Sequence, residues 1–221
     1  VGEVELDKAA HTITIRAELV LYGNAATAAL AAALAADVAQ HWNEPNAAVS
    51  IHDAWYDVRF EINGFYNPAL PALAVYENVD PRKNYFRIEK FARGNISFVD
   101  GINSNTGYFK LENLLNNSTT AAHEFGHTLG LHHPADLDIR GKGVPGIMYP
   151  RGTITDPAYQ YDPHAAPGQT GGTMNPLTRK VRLCDIADLA LWSVHYGENG
   201  KGILGDFTSV WHEAHEDEDR S

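Results

Sequence analysis

The sequence predicts an α+β fold, with a sheet and two long helices followed by a small loop-rich C-terminal part. Three observations predict it. Residues 12–21 begin by alternating Thr12, Thr14, Arg16 and Glu18 with Ile13, Ile15, Ala17 and Leu19, the period-two pattern of a half-buried strand. The alanine-rich run after Asn24 places Leu30, Leu34, Val38 and Trp42 at intervals of four, one apolar stripe along a helix. Residues 134–177 are dense in proline and glycine and keep no period. A stretch of that length without regular structure usually surrounds a site.

Each element follows from local chemistry. Gly23-Asn24 breaks the first strand, Asn24 is a suitable helix N-cap, and Pro45 stops the helix. A second strand region is expected over 49–62, where Val58, Phe60 and Ile62 alternate with Asp57, Arg59 and Glu61. Residues 63–84, carrying Pro68, Pro71 and Pro81, read as a surface connection. Strands are expected at 85–91, 95–100 and 107–112. The last two are separated by Gly101-Ile102-Asn103-Ser104-Asn105-Thr106-Gly107, whose residues tolerate unusual φ. Ser118 or Thr119 can cap a helix reaching about Leu129. A final helix is expected over 179–196, with Leu183, Ile186, Ala187, Ala190 and Val194 buried and Gly197 at its end. Cys184 within it reads as a small buried hydrophobe.

The length of 221 residues suits one substantial core, so a single domain over 1–221 is expected. Within it, 1–133 forms an N-terminal part with the sheet and the histidine-bearing helix, 134–211 a C-terminal part, and 212–221 a frayed acidic tail. A net charge of −11 argues against a nucleic-acid partner, which needs clustered lysine and arginine. The absence of any long apolar run predicts no membrane span. One cysteine cannot make an internal disulfide. The opening Val1-Gly2-Glu3 carries no basic-then-apolar leader, as expected of a processed exported chain or of a piece of a longer one.

The chemistry concentrates in His123-Glu124-Phe125-Gly126-His127-Thr128-Leu129-Gly130-Leu131-His132-His133, which fits H-E-x-x-H-x-x-G-x-x-H at every fixed position. Histidines four apart on a helix share a face, so His123 and His127 can reach one cation. A straight helix would carry His133 to the wrong side. Gly130 leaves the helix cheaply through positive φ and turns the chain back. Three imidazoles with one open vertex are what a catalytic Zn2+ site requires. Glu124 falls beside the cation, placed to accept a proton from water. His132 is the rival third ligand, but the register with Gly130 favours His133. Asp136, Asp138, Asp156 and Asp162 could hold Ca2+, although their spacing fits no calcium loop and solvated loop acids are the better reading.

This motif resembles that of the metzincin zinc endopeptidases. The resemblance implies a twisted, mostly parallel sheet, a methionine turn beneath the metal, Glu124 as general base and an extended polypeptide as substrate. Gly146-Ile147-Met148-Tyr149-Pro150 is the candidate turn and resembles the matrixin branch, with Met174 the rival methionine. Residues 95–100 are the candidate edge strand for substrate. The interval from His133 to Met148 is longer than matrixins show, and Arg151-Gly152 replaces the expected pocket wall. Residues 140–150 and Arg179-Lys180-Val181 also resemble C-terminal peptidase domains of Rhs-repeat, toxin-like bacterial proteins, which implies an extracellular setting. The alternative reading is a catalytically silent module that holds zinc and a peptide.

Overall fold

The computed structural model describes residues 1–216. Strand β2 (Thr12–Tyr22) is the axis of a curled mixed sheet. It runs parallel to β4 (Ala54–Tyr66) along one side, in register from Thr12 opposite Asp57 to Leu21 opposite Tyr66. On its other side, β1 (Gly2–Asp7) pairs antiparallel with residues 12–16, and β5 (Lys83–Glu89) pairs parallel with residues 18–22. The sheet therefore forks. It continues from β5 to the parallel β7 (Thr106–Lys110) and ends at β6 (Phe98–Val99), which lies antiparallel to β7. The other margin is β3 (Ala48–Ile51), and β8 (Lys201–Leu204) extends the sheet beyond β1. The four central strands are parallel and the flanking ones antiparallel.

Two faces follow from the side-chain alternation of β2. Leu19 and Leu21 join the main core, whereas Val20 and Tyr22 join a smaller cluster with Tyr85 and with Val75 of α2 (Ala72–Tyr76). Helix α1 (Ala28–Asn43) packs on β4 through Ala31, Leu34, Ala35, Val38 and Trp42. Its alanines permit a close approach, since a Cβ at Gly64 would run into the Ala31 backbone. Trp42 joins α1 to the histidine-bearing helix α3 (Thr120–Thr128). Its Nε1 donates to Ala122 O at 3.1 Å, and its ring packs against Phe60 and the edge of Phe125.

Several expectations need correction. The N-cap of α1 is Thr27, whose side chain accepts from Leu30 N–H, and not Asn24. The strand expected over 49–62 is a hairpin of β3 and β4. The strand expected over 95–100 shortens to Phe98–Val99, because Gly94 and Asn95 have positive φ and turn the chain. The helix expected over 179–196 shrinks to α4, Leu183–Asp188, with Ile186 and Leu189 as its buried contacts. Asp185 caps it by accepting from Arg182 N–H at 2.7 Å, and Ala190 in the left-handed region stops its continuation. Leu183 and Cys184 are consequently exposed, against the expectation of burial. Of the two long helices expected, α1 has 16 residues and α3 only nine. Strands β1 and β8 and helix α2 form where the sequence predicts no regular element.

The tail is also packed as far as it is described. Trp211 stacks on Tyr22, His212 pairs with Asp100 at 2.8 Å, and His215 stacks on Tyr108. Those partners hold His212 and His215, which composition alone assigns to a frayed end, and Trp211 just before it. Residues 217–221 lie outside the described range. Among the described residues, no helix is long and apolar enough to cross a membrane.

Candidate metal centre

Helix α3 ends in two turn hydrogen bonds that decide the geometry of the site. Leu131 N–H donates to Gly126 O at 3.0 Å and Gly130 N–H to His127 O at 3.1 Å, with Gly130 at φ +102°. This is the Schellman arrangement, in which a left-handed glycine satisfies the last carbonyls and reverses the chain. Leu131 O then faces back along the helix and accepts from His127 Nδ1 at 2.7 Å. The same reversal returns His133 to the helix face.

His123, His127 and His133 each offer one nitrogen, and these lie within 4.8 Å of one another. His133 Nε2 is 3.1 Å from His123 Nε2 and 3.0 Å from His127 Nε2. The tautomers make this informative. His123 Nδ1 is 2.6 Å from Ile147 O, and a carbonyl can only accept, so Nδ1 carries the proton. The same holds for His127 Nδ1 at Leu131 O. Both Nε2 atoms therefore turn bare lone pairs toward His133 Nε2, an arrangement that suits either a proton on His133 Nε2 or a cation held by all three rings. Ligand nitrogens on a tetrahedral cation stand about 3.3–3.4 Å apart for metal bonds of about 2.0–2.1 Å. The observed spacing is close to that. The three residues fit a metal ion.

Electrostatics agree. Burial holds His123 well below the ordinary histidine value, with the Arg179 guanidinium adding to the effect. Burial brings His127 down to about 4. His133 is lowered by partial desolvation, then by Arg179 and His132. All three are thus neutral near pH 7, the form that ligates. Arg179 Nη1 lies 2.9 Å from His123 Nδ1 and 3.0 Å from Tyr149 O. One of the two Nη1 hydrogens is donated to Tyr149 O, and with the Nδ1 proton directed at Ile147 O the contact to Nδ1 is not a hydrogen bond. The guanidinium acts on the ring as a nearby positive charge.

Glu124 is 8% exposed, and its Oε2 accepts from Val99 N–H of β6 at 3.2 Å. Burial pushes its carboxyl up to about 8, opposed by Arg179, Val99 N–H and Arg151. A cation beside it would oppose burial further. His132 is exposed and falls outside the three-histidine group. Asp136 is paired with Lys142 and Asp138 with Arg140, while Asp156 and Asp162 accept from backbone N–H groups of Gly141 and His164. Among the described residues, the histidines are the one group of metal-capable side chains.

Met148 lies against α3, since a Cβ at Gly126 would run into its Sδ and come within 3.1 Å of the Trp42 ring. Met174 is also buried, but its N–H bonds Thr153 O at 2.9 Å and it bridges Gln160 within the loop. Asp185 of α4 accepts from the Ile147 backbone and so supports the turn whose carbonyl orients His123. Gly126→Ala is expected to cost about 1–3 kcal/mol by overpacking, whereas Met148→Leu should cost less than about 1.5 kcal/mol. Thermal unfolding of the metal-free variants checks this. A Gly126→Ala protein as stable as the parent would mean that α3 is not seated tightly on Met148.

Two hollows, of about 230 Å³ and 490 Å³, share Ser97, His123, Glu124 and His133 and form one cleft beside β6. A larger hollow of about 610 Å³ between residues 5–8 and 192–200 contains no converging ligands, so the chemistry selects the histidine cleft. Arg179 is the residue at this cleft to which the sequence assigned no role. No protein-family model matches the sequence, and no curated protein matches it.

Proposed function

We propose that the chain is a zinc-dependent endopeptidase of metzincin type, acting on extended polypeptides. The observation that carries this reading is the convergence of two proton-free Nε2 atoms on His133, with Glu124 beside them in an open cleft. A zinc ion held by His123, His127 and His133 would supply a Lewis acid that polarises a peptide carbonyl and lowers the pKa of water to about 7. The Glu124 carboxylate takes the proton of the attacking water and passes it to the leaving amine. Val99 N–H fixes one carboxylate oxygen, so the proton moves through the other. Leu131 O and Ile147 O keep the imidazoles in the tautomer that faces inward. β6 lies at the sheet margin beside the cleft, where an extended peptide can add as a further strand.

The geometry suits cleavage within a chain, since the cleft continues on both sides of Glu124. Incubation with a denatured protein and with dipeptides, each with and without a chelator, tests the reading. Internal cuts abolished by chelation are expected, with dipeptides untouched. Sequential trimming from one terminus would mean an exopeptidase. Binding of peptide and zinc without any cleavage would leave a silent binding module.

A further inference from the structure

Arg179 is 4% exposed, yet it pairs with no carboxylate among the described residues. Its Nε donates to Thr119 Oγ1 at 2.9 Å and its Nη1 to Tyr149 O at 3.0 Å. Nη2 makes no hydrogen bond to a described residue, and the side chain lines the smaller hollow beside the histidines. Arg151 lines the same hollow. Its described contact is a long one, Nη2 to Asn113 Oδ1 at 3.5 Å, and it too has no ion pair among the described residues. A protein of net charge −11 thus gathers two guanidiniums around one small hollow. Glu124 is the sole acid lining it, and Glu124 is assigned to the proton. Glu124 is the one acid whose charge reaches the buried Arg179, Arg151 is exposed at the rim, and a carboxylate bound between them would gain charge-assisted hydrogen bonds from both guanidiniums.

We propose that this hollow is a specificity pocket for an acidic side chain, so that the enzyme selects Asp or Glu next to the bond it cuts. Arg151 and Arg179 supply the donors, and Ser97 and Thr120 complete a polar wall. Arg179 also clamps the start of α3 to the turn after Met148, so its replacement disturbs the site as well as the pocket. Arg151 reverses charge with less disturbance. The identity of the ligand as a peptide rests on the endopeptidase reading.

The test has two arms. In the first, peptides differing only in Glu, Gln or Lys on either side of the cut are digested by the parent and by Arg151→Glu. The parent should favour Glu over Gln by about ten- to a hundredfold in kcat/KM, the range for a hydrogen bond to a charged group. In Arg151→Glu the preference should invert toward Lys. In the second arm, calorimetry compares binding of the same Glu and Gln peptides to metal-free protein, which needs no turnover. Cleavage without a preference for acid, or a preference unchanged in Arg151→Glu, overturns the pocket while leaving the peptidase. No cleavage, but Glu-selective binding lost in Arg151→Glu, keeps the pocket and removes the peptidase. No cleavage with equal binding overturns both.

Discussion

Glu124→Gln should keep its metal and its fold and lose peptide cleavage by about two to four orders of magnitude, the usual contribution of a general base. The substitution preserves size at a side chain only 8% exposed and leaves an amide oxygen to accept from Val99 N–H. What it removes is a group able to take up a proton. Three measurements on the same preparation are needed: kcat/KM on a cleaved peptide, metal content and thermal midpoint. Cleavage at the parental rate would transfer the base role to another group. Loss of metal along with activity would show that Glu124 supports the site and does not carry the proton.

Alanine at His123, His127 or His133 should empty the site. Losing a ligand should exceed the roughly 10- to 100-fold fall in affinity that follows loss of a supporting group. The parent should hold about one ion per chain, as expected of a three-histidine site. Saturation at about a thousand times the dissociation constant would stabilise the fold by about 4 kcal/mol. For a chain of this size that corresponds to a rise of roughly 8–16 °C in thermal midpoint, which a chelator should reverse. His132→Ala serves as the control, being exposed and outside the group. Metal retained by His133→Ala and lost by His132→Ala would reverse the assignment of the third ligand.

The fold was legible in unequal measure. β4 was readable because it buries alternating residues, β2 because Ile13, Ile15, Ala17 and Leu19 alternate with polar residues over its first part, and the Leu34, Val38 and Trp42 stripe of α1 because one face meets the sheet. The C-terminal helix was overread. Its apolar residues recur at helical intervals, but Leu183 is 62% exposed and Ala190 adopts a left-handed conformation. Periodicity reports which residues could share a face, not whether a partner covers that face. The converse applies to the tail, whose acidic composition conceals the pairing of His212 with Asp100 and the stacking of His215 on Tyr108.

The sequence by itself determined the metal-binding group, because its geometry is local. Helical spacing aligns His123 with His127, and one positive-φ glycine returns His133, all within eleven residues of backbone. Only the tertiary structure decided the setting of that group. Ile147 O reaches His123 Nδ1 from 24 residues away, and Arg179 comes from 56 residues away to place a guanidinium beside the ring and the hollow. Arg179 itself has extended backbone, at φ −66° and ψ 149°, and is held by Thr119 and Tyr149 from two other segments. A buried charge depends on which distant segments close around it, and no local pattern encodes that closure.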